Sequence, residues 1–261
     1  MFDYHMHSVV SFDGQDAPEE LAKAAVKAGL QEICFTDHVD DDPKGVRNKD
    51  RFTIESYNAA YDGLTVPGLT IRRGLEFGML PDNQALLKWY LQQRPFDFVL
   101  GSVHYAGLWD PYFKEYWEGV TQEAAELNYL EWVLKCVKTH EDFDVLGHLT
   151  YVSKAGANPV KRLIPYVWHR ELVDEILKIL AAKGKGMEIN TSGVDRCGDF
   201  LPHAEYLRRF KELGGEIVTV GSDAHTADRV GQYCHRACDL AKEIFGHVCT
   251  FEGRKPVFHK L

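Results

Sequence analysis

The chain has 261 residues, 45% of them apolar and 26% charged, a balance that suits a soluble globular protein and excludes a disordered one. Its 30 lysines and arginines stand against 39 aspartates and glutamates, a formal charge of −9 that excludes a broad surface for long nucleic acid or an anionic membrane. No apolar run approaches the ~18–20 residues of a membrane span, and Met1-Phe2-Asp3-Tyr4-His5 lacks the basic start and apolar stretch of a signal peptide. The six cysteines (34, 136, 197, 234, 238 and 249) form no CxxC pair, so reduced thiols in a cytoplasmic protein are expected.

Short β-like segments alternate with longer helical patterns, and no repeat or linker divides them. A single domain over 1–261 is therefore expected. The first segment, Phe2–Met6, precedes a helical pattern at 17–29. Asp16 is its expected N-cap, Pro18 sits in the first turn, and Glu19 follows the cap by three residues as in a capping box. Next come Glu32–Thr36 with a helix near 53–63, Leu69–Leu75 with 82–93, and Phe96–Leu100 with 121–139. Phe143–Leu146 leads to 169–184, Gly186–Ile189 to 202–213, and Glu216–Val220 to 233–245. Seven strand–helix alternations imply an α/β fold with a parallel sheet, either an open doubly wound one or a closed barrel. No GxGxxG follows the first strand, which removes the dinucleotide-binding version.

The histidines favour the barrel. Of twelve, six fall at or just past predicted strand ends: His5 and His7 in HMH, His38 in FTDH, His104 in GSVH, His148 in LGH and His225 in GSDAH. Asp13, Glu76 and Asp223 take similar positions. In a parallel barrel all these strand ends meet on one face, where active sites are built. Alternation points His5 and His7 to one side of their strand, as a shared metal ion requires. The other histidines (140, 169, 203, 235, 247 and 259) lie in helices, caps or the tail and receive no ligand role, with His203 held in reserve.

HMH, FTDH, GLE, GSVH, GHL and GSDAH, in that order from residue 5 to 225, resemble the polymerase and histidinol phosphatase (PHP) superfamily. The length and EINTSG at 188–193 most resemble its histidinol-phosphatase branch. The resemblance implies a distorted seven-stranded (β/α)7 TIM-like barrel of the PHP type holding three divalent metal ions. His5, His7, Glu76 and Asp223 would take the first ion. Glu76, as a bridge, would take the second with His104 and His148, and Asp13, His38 and His225 would take the third. Some relatives carry a histidine where Asp13 stands; the oxygen donor fits the histidinol-phosphatase branch. Mixed imidazole and carboxylate donors suit Zn, Mn or Fe better than Mg or Ca. Three divalent ions against three ligand carboxylates leave the cavity at about +3, which admits an anionic substrate into an acidic protein.

The expected reaction is hydrolysis of a small phosphate monoester, L-histidinol phosphate to L-histidinol and phosphate, by in-line attack of a metal-bridging hydroxide. No GxSxG elbow or Arg-flanked Cys suggests a covalent nucleophile. Glu76, Asp223 and His225 are the expected catalytic residues, and the proton for the leaving alkoxide is left open among Asp223, His225 and a metal-bound water. Arg162, in the loop after the fifth strand, and Arg196, after EINTSG, are the expected phosphate clamps, with Ser222 beside them. Asp40–Asp42 and the aromatic stretch 105–120 are candidates for the amine and imidazole of the substrate. Glu188 and Asn190 are expected on one face of the sixth strand, as a polar layer or bonded to a ligand residue. The same site could instead serve nucleotides, oligonucleotide ends or another small phosphate ester. A metal-binding module without catalysis and a C–N hydrolase are weaker readings, because all nine ligand positions are filled and Glu76 takes the bridging place.

Overall fold

The computed structural model describes residues 1–45 and 51–261. Its strands are β1 (Phe2–Asp3), β2 (Glu32–Phe35), β3 (His38–Val39), β4 (Thr70–Gly78), β5 (Phe98–Ser102), β6 (Val145–Leu146), β7 (Gly186–Asn190) and β8 (Val218–Gly221). They form one parallel sheet in the order β1-β2-β4-β5-β6-β7-β8, with β3 also beside β4. β2 and β3 pair with successive parts of β4, so they are one strand interrupted at Thr36 and Asp37. The sheet joins its own ends: Tyr4 N–H donates to Val220 O (2.8 Å), Asp223 N–H to His5 O (2.7 Å) and His7 N–H to Ala224 O (2.8 Å). This is the distorted seven-stranded barrel expected of the sequence.

The outer helices are α1 (Pro18–Lys27), α2 (Ile54–Tyr61), α3 (Gln84–Gln93), α4 (Gln122–Thr139), α5 (Arg170–Ala182), the one-turn α6 (Gly193–Cys197), α7 (Ala204–Glu212) and α8 (Cys234–Phe245). Thr53 and Thr121 cap α2 and α4 by accepting the N–H groups of Ser56 and Ala124. The start of α1 differs from expectation. Ala17 is its N-cap, and its N–H is held by Glu20 (3.3 Å) rather than by Glu19. Asp16 accepts from Ala227 N–H (2.6 Å) instead, tying the loop after β8 to the start of α1.

The sequence reading leaves the tail without an element, yet β9 (His247–Glu252) and β10 (Lys255–Lys260) form an antiparallel hairpin there. Phe251 packs on Phe98, and its N–H donates to Tyr4 Oη. Arg254 reaches Asp144 just before β6. The hairpin thus closes the end of the barrel where strands begin and leaves the opposite end open. No helix among the described residues is long and apolar enough to cross a membrane.

Candidate metal centre

At the open end the strands deliver imidazoles and carboxylates to one cavity of about 680 Å³. The chain beyond β1 carries His5 and His7 on one side, while Met6 turns into the apolar core. His38 opens β3 and is in register with Glu76 of β4. His104 and His148 lie two residues past β5 and β6. Asp223 and His225 follow β8, and Asp13 comes from the loop after β1. Asp223 has φ 57°, a left-handed conformation that a side chain rarely adopts, found here at a site residue.

Three groups form. Nε2 of His5 and of His7 lie 3.0 Å apart, 3.2 and 3.4 Å from Glu76 Oε2, and each 3.6 Å from Asp223 Oδ1. Four donors held tetrahedrally at the zinc distance would stand about 3.3 Å apart, so this spacing matches a coordination shell. Glu76 Oε1 lies 2.9 Å from His148 Nε2 and 3.4 Å from His104 Nε2. Asp13 Oδ2 lies 3.1 Å from His225 Nε2 and 3.6 Å from His38 Nε2. Glu76 Oε2 and Asp13 Oδ1 are buried yet accept no hydrogen bond among the described residues. A buried carboxylate oxygen left so is costly unless a cation meets it. The donor set therefore fits divalent ions.

The electrostatics agree. Burial alone would lower the His5 pKa, but Glu188, Glu76 and Asp223 raise it well above the ordinary value. His104 is likewise pushed up to about 10 by Asp40 and Glu76 against the effect of burial. His7 falls to about 3, through burial and the neighbouring His38 and His225. The Glu76 carboxyl resists burial and is held far below its usual range by His5, His38 and His104. This is a knot of positive imidazoles around carboxylates, which divalent cations would replace.

Of the three residues expected at the phosphate, the structure brings only Arg196 to the cavity wall. Arg162 forks onto Glu126 and Glu123 of α4 and stacks on Trp168, so the cation expected as a clamp is a surface tie. Ser222 is turned away from the cavity: its N–H and hydroxyl both bond Asp3 (2.8 and 2.5 Å). The sequence reading missed Lys154, which lines the cavity with its ammonium on Asp223 and on Ser192 Oγ (2.8 Å). Among Asp40–Asp42, Asp41 pairs with Arg51, and Asp40 is taken by His104 (2.9 Å) and His38 (3.2 Å). The aromatic stretch divides. Tyr105, Tyr112 and Phe113 line the cavity, whereas Tyr116 is buried and Trp117 bonds Pro111 O. Asp110 also lines it, anchored by Tyr112 N–H and Tyr151 Oη, and burial pushes its carboxyl up to about 6. Glu188 faces inward, bonded to His5 Nδ1 (2.6 Å), with Asn190 beside it. His203, held in reserve, caps α7 instead.

Known proteins point the same way. The profile of the PHP domain matches residues 3–192. A histidinol-phosphatase of Lactococcus lactis subsp. lactis is 34% identical over 258 residues, covering 97% of this chain and 95% of the relative. A probable histidinol-phosphatase of Clostridium acetobutylicum is 30% identical, covering 97% and 98%. The crystal structure of the Lactococcus lactis histidinol phosphate phosphatase complexed with zinc, L-histidinol and phosphate matches with a TM-score of 0.85 and 32% identity, over 98% of each chain. The chain belongs to the PHP domain family, within its histidinol-phosphatase branch.

Proposed function

We propose that the protein hydrolyses L-histidinol phosphate to L-histidinol and phosphate, a step of histidine biosynthesis, with three divalent ions of the zinc, manganese or iron type. What carries this reading is the cluster of strand-end imidazoles and carboxylates, in which Glu76 faces five imidazoles, together with a near full-length relative solved with zinc, L-histidinol and phosphate. His5, His7, Glu76 and Asp223 would hold the first ion, Glu76, His104 and His148 the second, and Asp13, His38 and His225 the third. The ions supply Lewis acidity, which brings the pKa of water from 15.7 toward about 7 and neutralises charge on phosphoryl oxygens.

The chain's own residues do the rest. Lys154 and Arg196 offer cations to the phosphate from one side of the cavity, and Lys154 exchanges its contact with Asp223 for a phosphate oxygen. Asp110, whose carboxyl burial pushes up only to about 6, accepts a hydrogen bond from the substrate ammonium. Tyr105, Tyr112 and Phe113 flank the imidazole and exclude water around the reacting phosphate.

Substrate comparison tests the reading. Manganese-loaded protein should show a kcat/KM for L-histidinol phosphate at least ~10³ above nucleoside monophosphates, sugar phosphates and an aryl phosphate. Comparable rates on all of them would leave a metal phosphoesterase and remove the histidinol assignment. Single alanine variants divide the cations. Lys154→Ala and Arg196→Ala should each lower kcat/KM roughly 10- to 100-fold, the worth of a charge-assisted hydrogen bond, with ion content unchanged. Arg162→Ala should leave kcat/KM within about twofold and lower the unfolding free energy by roughly 1–3 kcal/mol, because buried Glu126 loses its cation. Normal kinetics in both cavity variants would move the phosphate site elsewhere.

A further inference from the structure

Six imidazoles present Nε2 toward the ion positions, and each has a second nitrogen, Nδ1, that decides which tautomer it adopts. His7 Nδ1 faces Ser11 Oγ (3.2 Å), and His225 Nδ1 faces the backbone oxygen of Asp223 (3.0 Å). Those of His5 and His104 face two carboxylates, Glu188 and Asp40, to which the three-ion reading gives no ion. Glu188 Oε1 takes His5 Nδ1 at 2.6 Å, while its Oε2 accepts the backbone N–H of His148 at 2.7 Å. Asp40 Oδ1 takes His104 Nδ1 at 2.9 Å, and its Oδ2 lies 3.2 Å from His38 Nδ1, which Glu76 Oε2 also approaches at 3.1 Å. Each carboxylate therefore spans two ion groups: Glu188 the first and second, Asp40 the second and third.

The barrel makes room for both. A Cβ on Gly221 would fall on Glu188 Oε1, and one on Gly78 would fall on Asp40 Oδ1, both well inside van der Waals contact. Two strand ends thus carry glycine where a side chain would displace these carboxylates. Glu188 and Asp40 are almost completely buried, which freezes their geometry.

We propose that Glu188 and Asp40 are positioning residues that lock His5 and His104 in the tautomer whose Nε2 is free to bind an ion, and so set the affinity of the ion centre site by site. This rests on the three-ion reading above. A carboxylate accepts at both oxygens, whereas an amide of the same shape accepts at one and donates at the other. In Glu188→Gln the amide keeps the His148 N–H by its oxygen and turns its NH2 on His5 Nδ1. That nitrogen must then accept, which moves the ring proton to Nε2, the atom that should ligate. In Asp40→Asn the same conflict falls on His104.

The test is site-resolved ion occupancy, read from zinc-edge anomalous diffraction of crystals grown at limiting zinc, with solution affinity measured against a chelator. Wild-type protein should show three peaks. Glu188→Gln should lose the peak among His5, His7, Glu76 and Asp223, with about a 10- to 100-fold fall in affinity for that ion. Asp40→Asn should keep that first peak and weaken the second, at Glu76, His104 and His148, by a similar factor. If Glu188→Gln fails to fold, Asp40→Asn decides alone. Wild-type occupancy in the variants, or equal loss of all peaks in each, would overturn the proposal. A wild-type protein without three peaks would instead remove the three-ion reading itself.

Discussion

Replacing Glu76 with glutamine should lower phosphate release by about 10⁴-fold or more and cost the protein two ions together, because the Lewis acidity lost is worth many powers of ten in available hydroxide. One carboxylate faces five imidazoles: Oε2 lies 3.1–3.4 Å from His5, His7 and His38, and Oε1 lies 2.9–3.4 Å from His148 and His104. An amide of the same shape can keep one oxygen toward one group. Its NH2 must then point at nitrogens that need an anion or an ion. Ser102 Oγ, 2.6 Å from Oε1, remains able to bond an amide oxygen, so the strand end should persist. Metal analysis of the purified variant beside its phosphate-release rate checks this. Full ion content with activity within tenfold of wild type would show that Glu76 does not bridge.

That nine residues spread over 220 positions could be placed on one face from sequence reflects a simple regularity. A parallel barrel gathers all strand ends, and HMH, FTDH, GSVH and GSDAH each end a β-like run. The cavity's cations were less legible: Arg196 was named from sequence, Lys154 was not. Lys154 sits in an irregular loop after β6, where no period fixes direction. Arg162, eight residues on, looked equivalent, yet the fully buried Glu126 of α4 claims it. Ser222 carried a plausible sign, between a strand end and Asp223. Its partner Asp3 lies 219 residues earlier and becomes its neighbour only when β8 closes against β1. A different pairing explains Asp40. As one of three consecutive aspartates it was a candidate for the substrate's far end, but the pairing of β3 with β4 carries it under His104. Long-range partners, rather than local propensity, decided the places of Arg162, Ser222 and Asp40.

Stripping the divalent ions should silence the enzyme by about 10³-fold or more and also reverse how its stability depends on pH. In the metal-free protein, carboxylates raise the pKa of His5, His38 and His104 against the effect of burial, His104 to about 10. The unfolded chain titrates near ~6.5, so the folded state binds more protons than the unfolded one between those values. Stability from these three histidines is therefore complete below pH ~6.5 and is lost as pH rises toward about 10. His7 and His148, whose pKa values are lowered chiefly by burial, are neutral in both states across that window and do not oppose the trend. With ions bound the sign changes. Each imidazole must give up its proton to ligate, so rising pH strengthens binding, and tighter binding to the folded state stabilises it by mass action. Thermal unfolding at pH 7 and pH 9.5, with chelator and with saturating zinc or manganese, should give a Tm that falls in the first case and holds or rises in the second. Parallel slopes in the two conditions would mean that protons and ions do not compete for the imidazoles around Glu76.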